Sequence, residues 1–232
     1  AHLPTVLNEQ GEKMSKRNGA KAVTQYRDEG YLPDAMVNYL ARLGWSHGDD
    51  EIFSRAQFLQ WFNLDHLGTS AGRFDEAKLR WVNAQHLKAM PGAELAPLVA
   101  AQLQKRGVEG DERLPALCDL FKDRVDTTAA LADWLLPYYA DVQPSADDLA
   151  KHVTAAVKPA LASLAARLES TPWTAPDIAA ALKQTLAEHG LKMPQLAMPV
   201  RVLVMGTPQT PSVDAMLALH RREKVLASLR RG

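Results

Sequence analysis

The amino-acid sequence predicts a mainly α-helical protein. From Ser54 onward, nearly every segment carries apolar residues at helical spacing, and no second run of alternating β-branched residues is present to build a sheet. Alanine-rich stretches such as 155–168 have a high helix propensity. Ser54-x-x-Gln57 and Thr174-x-x-Asp177 have the spacing of side chains that cap the first turn of a helix. Together these observations predict a body built almost entirely from helices.

The N-terminal part of the chain is more varied. Residues 2–7 are typical of a short extended segment, and residues 8–12 are typical of a turn. A basic stretch follows at 13–22. Pro33 then opens a helix with apolar residues at helical spacing, and Gly44 is the expected stop at its C-terminal end.

Proline and glycine clusters mark the breaks between the later helices. A chain of 232 residues can bury roughly 70% of its unfolded surface, which is enough for one large core or two to three small ones. The sequence has no internal repeat and no low-complexity tract, so we expect several helical units in series. The breaks fall at 90–92, 106–110, 143–145, 170–172, 192–194 and 206–208.

Charge and cysteine content exclude several classes of protein. The 27 Lys and Arg residues balance 27 Asp and Glu residues, which argues against bulk binding to a polyanion such as DNA. No apolar run approaches the ~20 residues of a membrane span, and the N-terminus lacks the pattern of a secretory leader. The single cysteine, Cys118, excludes an internal disulfide and suits a reducing compartment, so we expect a cytoplasmic protein. Because the chain begins at Ala1 without methionine, inside a segment that already has a structural pattern, we expect an excised fragment.

The familiar catalytic motifs are absent from the sequence, and its seven histidines lack the spacing of metal ligands, so we expect no metal site. Residues 11–19, here called the cationic loop, are the exception. Two lysines three residues apart in a glycine-bracketed segment can close over a triphosphate and neutralise charge as pyrophosphate leaves, with Ser15 as a hydroxyl donor. On the motif alone, a solvated basic loop explains the same residues. The cations of the loop and of the residues just after it are Lys13, Lys16, Arg17 and Lys21.

A resemblance to a known family gives the loop a context. Lys13-Met14-Ser15-Lys16-Arg17 resembles the KMSKS signature of class I aminoacyl-tRNA synthetases. The similarity to bacterial glutamyl-tRNA synthetases covers essentially the whole chain, which is therefore identified as a C-terminal fragment of a member of that family. The family's nucleotide-binding domain, its HIGH-type motif and its glutamate pocket would lie upstream of Ala1. The flanking segments that carry the similarity are 2–4, 18–20, 31–40, 43–45, 74–75 and 78–83.

The resemblance implies an enzyme, a glutamate–tRNA ligase, that adenylates glutamate with ATP and Mg²⁺ and transfers it to tRNA(Glu). Because the nucleotide-binding domain is missing, we expect the fragment to be inactive alone, to hold no cofactor, and to meet glutamate and ATP only with that domain. The expected partner is tRNA(Glu), and we expect binding to neither a membrane nor DNA. The resemblance implies catalytic roles for Lys13, Ser15 and Lys16, and ATP contacts from Lys13, Met14, Ser15, Lys16 and Arg17.

The family architecture implies four parts. Residues 1–20 would be the end of the catalytic domain with the KMSK loop, and 21–87 would be a helical region that contacts the tRNA stem. Residues 88–142 and 143–232 would be two all-helical anticodon-binding subdomains. Because the partner surfaces of 1–20 would belong to the absent domain, we expect this segment to be poorly ordered or displaced, at least around the cationic loop.

The resemblance also places anticodon contacts. Arg124 falls at the position of the family arginine that reads the third anticodon base and favours the tRNA for glutamate over that for glutamine. Its planar fork can donate two parallel hydrogen bonds to an unstacked base. The alternative is an exposed arginine that pairs with Asp123 or Asp126 and contributes little.

Contacts to the other anticodon bases are implied for Arg201, Thr210, Pro211 and Val213. The family commonly has a larger aliphatic residue where Val213 stands, and the alternative here is a helix start with a core-facing valine. The basic residues near the C-terminus would supply phosphate contacts, or else form a solvated final helix turn.

Two other functions stay open on the sequence. The first is a stand-alone helical RNA-binding module, in which the match at 11–19 is a coincidence. The second is a helical protein-interaction domain, which predicts no salt-dependent affinity for RNA.

Overall fold

The computed structural model describes residues 4–232, and helices dominate this range. Within it the chain forms thirteen α-helices and two short 3-10 helices, while extended pairing is limited to isolated bridges that involve Leu7 and Trp45. The predicted mainly α fold is confirmed. His2 and Leu3, at the start of the predicted extended segment, lie outside the described residues.

The two 3-10 helices are Lys16–Asn18 and Lys122–Arg124. No helix within 4–232 combines the length and the apolar character that crossing a bilayer requires. In chain order the α-helices are α1 (Val23–Asp28), α2 (Pro33–Arg42), α3 (Arg55–Trp61), α4 (Glu76–Ala89), α5 (Gly92–Gln104), α6 (Leu114–Phe121), α7 (Thr128–Tyr139), α8 (Ala146–His152), α9 (Lys158–Ser170), α10 (Ala175–His189), α11 (Met193–Met205), α12 (Val213–Ala218) and α13 (Arg222–Arg231).

The chain divides into two compact units. The first unit consists of the described residues up to Arg106 together with Phe121–Asp133, and the second consists of Gly107–Leu120 together with Trp134–Gly232. Helices α1–α5 therefore belong to the first unit, and α8–α13 belong to the second. The four-part division expected from the sequence stays a prediction.

In the first unit, α2 packs against α4. Pro33 occupies the first turn of α2, where its missing N–H costs no intrahelical hydrogen bond. The helix ends at Arg42, with Leu43 as its cap and Gly44 directly after it, as predicted. The buried residues of the two helices lie on one face of each, and they include Ala35, Met36, Tyr39, Leu79, Val82 and Leu87.

The turn between α1 and α2 receives the start of α7. Gly30 in this turn has a φ of +95°, and a Cβ at this position would lie 2.5 Å from the Ala129 amide nitrogen. The amide and the hydroxyl of Thr128 donate to the Gly30 carbonyl at 3.0 and 3.3 Å. Only a glycine allows these two segments to approach so closely.

Both predicted helix starts carry their side-chain caps. The Gln57 amide donates to Ser54 Oγ at 3.2 Å, and the Ser54 amide donates to Gln57 Oε1 at 2.8 Å, which completes a capping box on α3. At the start of α10, the Asp177 amide donates to Thr174 Oγ1 at 3.4 Å. Helix α9 begins at Lys158, within the alanine-rich stretch 155–168, and a proline occupies its first turn.

The second unit is a helical bundle. Helix α9 packs against α10 and α13, and α11 packs against α8 and α13. Cys118 is buried in α6, as a packing residue. The apolar core of the bundle includes Leu161, Leu164, Leu168, Ile178, Leu182, Val200, Val202, Val225 and Leu229.

Candidate nucleic-acid interface

The cationic loop begins in a narrow turn and contains a short 3-10 helix. Leu7 and Lys13 form an antiparallel bridge across that turn. Ser15 directly precedes the 3-10 helix Lys16–Asn18, which ends at Gly19 with a left-handed φ of +79°. The Ser15 side chain makes no capping hydrogen bond, so its hydroxyl is not used by the helix that follows it.

Three cations of the loop are exposed: Lys13, Lys16 and Arg17. Within residues 4–232, none of the three forms an ion pair. Met14 and Ser15, which lie between the lysines, are half-buried. The loop therefore presents uncompensated positive charge to solvent from a short segment of backbone.

Lys21, the fourth cation expected to serve the loop, has a structural role instead. Its ammonium lies 2.9 Å from a carboxylate oxygen of Glu29 and 2.9 Å from one of Glu76. Burial disfavours the charged form, but the hydrogen bonds and attraction to Glu76 and Glu29 outweigh it and raise the pKa of Lys21. Its charge is thus already compensated.

The chain just before the cationic loop is attached to the first unit. The Leu7 amide donates to the Gly72 carbonyl at 2.8 Å, and the Phe74 amide donates to the Leu7 carbonyl at 2.8 Å. The expectation that 1–20 would be displaced is therefore wrong around Leu7. The physical reason is that residues 72–74 supply a pairing partner within this chain, which the sequence pattern did not indicate.

Arg124 is the last residue of the second 3-10 helix, and it is exposed. Its guanidinium forms no ion pair with any other residue of 4–232. Asp126, one of the two partners in the alternative, instead lies with a carboxylate oxygen 3.3 Å from Arg80 Nη1. The alternative of a local ion pair is therefore not what the structure contains, and the donor fork of Arg124 is open to solvent.

The other four predicted anticodon residues lie in the second unit, and the structure brings three of them together. Arg201 Nη2 donates to the Pro211 carbonyl at 3.4 Å, and Thr210 Oγ1 donates to the same oxygen at 2.8 Å. Thr210 and Val213 are each 5% exposed, and Pro211 is also buried. Val213 is the first residue of α12, as the alternative predicts. A role in RNA contact stays a prediction for all four.

The basic residues near the C-terminus bind other parts of the second unit. Arg222 donates to the carbonyls of Glu169 and Thr171, at 3.0 and 2.6 Å, where α9 ends. Lys224 donates to a backbone carbonyl, and Arg230 pairs with the Glu169 carboxylate. Positive charge stabilises a helix C-terminus because the last carbonyls there carry partial negative charge. These contacts favour a structural role over phosphate binding.

Trp81 lies on the exposed side of α4. The side chain is 40% exposed on α4, and Lys78 Nζ lies 4.0 Å from the centroid of its ring. An exposed aromatic ring beside a cation suits contact with RNA. The helical phase set by the buried residues Leu79 and Val82 could have placed position 81 on the outer face.

His220 is a buried histidine of the second unit whose pKa is strongly lowered. It is 3% exposed, and its ring stacks on that of Tyr138 with the centroids 3.8 Å apart. Burial, together with the positive charges of Lys224 and Arg113, lowers the pKa of His220 to about 3. Among residues 4–232, no group of three or more His, Cys, Asp or Glu side chains is arranged to hold a metal ion.

The helical second unit lies within the part of the chain that a family model matches. Residues 93–232 match the family described as "Anticodon binding domain". Residues 1–81 match the family described as "tRNA synthetases class I (E and Q), catalytic domain". Because the first match spans more than half of the chain, the chain belongs to the anticodon-binding domain family.

The similar curated proteins are glutamate–tRNA ligases. The chain is 71% identical over 230 residues to the glutamate–tRNA ligase of Albidiferax ferrireducens, and 70% identical over 238 residues to that of Verminephrobacter eiseniae. Each match covers 99% of this chain and 50% of the relative. The chain thus spans about half the length of the curated relatives it matches, and the resemblance to bacterial glutamyl-tRNA synthetases is confirmed.

Solved structures of two glutamate–tRNA ligases have a fold similar to that of this chain. The crystal structure of a glutamate tRNA ligase from Elizabethkingia meningosepticum, in complex with its amino acid, matches with a TM-score of 0.88 at 25% identity. The glutamate-tRNA synthetase from Elizabethkingia anophelis matches with a TM-score of 0.84 at 25% identity. Both matches cover 100% of this chain and 50% of the solved one.

Proposed function

We propose that this chain is the tRNA-binding part of a glutamate–tRNA ligase, which adenylates glutamate with ATP and transfers it to tRNA(Glu). The family of the chain and its identity to glutamate–tRNA ligases over nearly its whole length support this proposal. The observation that carries the RNA-binding role is Arg124, an exposed arginine without an ion pair among residues 4–232. An arginine in this state keeps its whole donor fork for an unstacked base.

In this proposal the last three of the four predicted parts share the tRNA. Residues 21–87 contact the inside of the tRNA bend, and 88–142 with 143–232 bind the anticodon. Arg124 binds the third anticodon base, and the exposed Trp81 with Lys78 adds a stacking surface to the stem-contact region. The contacts to the other anticodon bases are assigned to Arg201, Thr210, Pro211 and Val213.

The cationic loop, at the end of 1–20, serves the adenylation step in the full-length enzyme. Lys13 and Lys16, with the Ser15 hydroxyl, stabilise negative charge on the phosphates, and Met14 and Arg17 complete the ATP contact. The support is that the three cations of the loop are exposed and carry no ion pair within the described part of the chain. Charge donors fixed before the reaction stabilise a transition state in which negative charge develops. ATP, accompanied by Mg²⁺, supplies the phosphate group that glutamate attacks.

A substitution at Arg124 tests the RNA-binding role. In the full-length protein, Arg124→Gln keeps a polar side chain but loses the charge and the fork. We expect discrimination between the tRNAs for glutamate and for glutamine to relax by about 1–3 kcal/mol, with little change in stability. Arg27→Gln is the matched control, because Arg27 is an exposed arginine of the same unit whose side chain pairs with its neighbour Asp28. An unchanged ratio of glutamylation rates for Arg124→Gln would remove Arg124 from the interface.

Titration of the chain at two salt concentrations, with tRNA(Glu) and with tRNA(Glu) carrying a changed third anticodon base, separates this proposal from the two alternatives. An RNA interface built on cations loses affinity as salt rises, because bound counterions are released on binding. A protein-interaction domain shows no such affinity. A stand-alone RNA-binding module binds RNA but does not depend on the identity of the third anticodon base. For the full-length enzyme we also propose a cytoplasmic location.

A further inference from the structure

We propose that Asn83 is a positioning residue for Arg124, because its side-chain amide holds the backbone that presents the Arg124 guanidinium. This inference rests on the proposed function of Arg124. Asn83 lies on α4 and is 0% exposed, so it cannot contact RNA itself. Any influence it has on recognition must pass through the backbone that it binds.

The amide of Asn83 joins two segments of the first unit. Its Oδ1 accepts a hydrogen bond from the Leu32 amide at 2.8 Å, and its Nδ2 donates to the Asp126 carbonyl. Leu32 is the cap residue at the start of α2, and Asp126 lies two residues after Arg124. A single buried side chain therefore fixes the arginine-bearing segment to the helix pair α2 and α4.

Thr128 attaches the chain to the Gly30 carbonyl where α7 begins, and two further attachments of this segment lie nearer the surface. On the N-terminal side, Lys122 Nζ donates to the Met90 carbonyl at 2.9 Å. On the C-terminal side, Arg80 pairs with the Asp126 carboxylate at 3.3 Å, and both side chains are exposed. Exposed ion pairs contribute little, whereas a buried donor left without its partner costs its full desolvation free energy. Asn83 is therefore the buried side chain that anchors the residues directly after Arg124, ahead of the Thr128 contacts at the start of α7.

Replacing Asn83 with aspartate separates its two contacts. The carboxylate of Asn83→Asp can still accept from the Leu32 amide, but it has no N–H to donate to the Asp126 carbonyl. It also places negative charge against that carbonyl oxygen. The backbone around Asp126 should then shift, and a guanidinium must be well aligned to donate two parallel hydrogen bonds to one base edge.

Asn38 offers a matched control. It is 1% exposed on α2, accepts from the Phe53 amide at 3.1 Å and donates to the Glu51 carbonyl at 2.9 Å. Asn38 is about as buried as Asn83 and likewise bridges two backbone groups, with one additional contact between its Oδ1 and His86 Nε2 at 2.9 Å. The loop that it holds is remote in sequence from Arg124. We therefore expect Asn38→Asp to lower the free energy of unfolding by an amount similar to that of Asn83→Asp, without affecting the arginine-bearing segment.

The experiment measures kcat/KM of the full-length protein for glutamylation of tRNA(Glu) and of tRNA(Glu) with a changed third anticodon base. The ratio of the two values is the discrimination. We expect Asn83→Asp to lower this ratio about tenfold. The loss should appear in KM for tRNA(Glu), with kcat at saturating tRNA retained, and Asn38→Asp should leave the ratio unchanged. Loss of a phosphate contact would not change the ratio, because it would weaken the binding of both tRNAs alike.

A double-mutant cycle tests whether Asn83 acts through Arg124. In an Arg124→Gln background, Asn83→Asp should have no further effect on the ratio. An equal loss in both backgrounds would overturn the inference, because Asn83 would then act on the structure in general. If Arg124→Gln lowers the ratio and Asn83→Asp does not, the inference fails while the proposed function stands.

Two further outcomes are also decisive. An unchanged ratio for Arg124→Gln would overturn the proposed role of Arg124 and this inference with it. If thermal unfolding shows that Asn83→Asp is not folded, Asn83→Ser replaces it. The serine hydroxyl is uncharged and too short to bridge Leu32 and Asp126. The same loss of discrimination is expected, and its absence in the folded variant would overturn the inference.

Discussion

Replacing Gly30 with alanine should destabilise the first unit by more than the cost of placing an alanine at a positive φ. The reason is that the turn between α1 and α2 has no room for a Cβ. An added Cβ would lie 2.5 Å from the Ala129 amide nitrogen and 2.7 Å from Thr128 Oγ1. Both atoms belong to the first turn of α7, which is not free to yield like the tip of a flexible side chain. The start of α7 must therefore move away from the turn.

The magnitude follows from two contributions. An L-residue at the positive φ of Gly30 costs roughly 1–2 kcal/mol. Moving α7 also weakens the two hydrogen bonds from Thr128 to the Gly30 carbonyl, and each contributes about 0.5–1.5 kcal/mol. We therefore expect Gly30→Ala to lower the free energy of unfolding by about 2–5 kcal/mol.

Gly48→Ala is the matched control in the same unit. Gly48 also has a positive φ, +52°, but no heavy atom lies within 4 Å of the position of an added Cβ. This substitution should carry only the conformational cost, about 1–2 kcal/mol. The difference between the two variants thus isolates the close approach of α7 at Gly30.

The assay is urea unfolding followed by tryptophan fluorescence. Because the chain has two compact units, a single transition cannot be assumed, and the probe must report one unit. Trp134→Phe and Trp173→Phe remove the indoles of the second unit, so that the remaining tryptophans report the first. Equal losses for Gly30→Ala and Gly48→Ala would refute the reasoning, since α7 would then not be held against the turn.

Three further predictions concern chemistry. Lys16→Ala in the full-length enzyme should slow adenylation by on the order of 3 kcal/mol in the transition state, while tRNA binding is largely kept; equal loss in both assays would make Lys16 structural. The isolated chain should form no glutamyl-adenylate, because its cationic loop has no nucleotide-binding domain to work with, and glutamate-dependent pyrophosphate exchange above background would contradict this. His220 has a pKa lowered to about 3 by burial, so its contribution to stability is present above the unfolded value of 6.5 and is lost as pH falls towards 3. His220→Phe should therefore flatten the fall in unfolding free energy between pH 6.5 and pH 3, by up to about 1.4 kcal/mol per pH unit, as measured by urea unfolding.

The helices could be predicted because their signals are local. The capping box at Ser54 and the proline at the start of α2 act within one turn, and the structure contains both. The alanine-rich stretch 155–168 predicts helix α9 but not its start at Lys158, because alanine propensity does not indicate where the first turn begins. The attachment of Leu7 to residues 72–74 joins distant parts of the chain, and the periodicity of neither segment indicates it.

The candidate site shows the same division between local and distant signals. The cationic loop could be found from its residues, since its charges lie within one short segment. The partner of Asp126 could not be found from the sequence. Arg80 lies 46 positions away, and the nearer Arg124 is an equally suitable partner by sequence alone. The buried anchor at Asn83 was missed for the same reason: an asparagine inside an otherwise ordinary helix gives no signal until its two backbone partners are known.

Under the proposed function, the distribution of compensated and uncompensated cations explains how a chain of zero net charge would bind RNA. Lys21 lies between two carboxylates, and Arg222 is held by carbonyls at the end of α9, so either would have to give up its partners before binding a phosphate. Lys13, Lys16 and Arg124 have no such partners among residues 4–232, and they have none to lose. The free energy of RNA binding should therefore be concentrated at positions such as Arg124, while Lys13 and Lys16 keep their charge for the phosphates of ATP. A neutral chain built in this way disfavours bulk attraction to nucleic acid and retains charge only where specific contact is made.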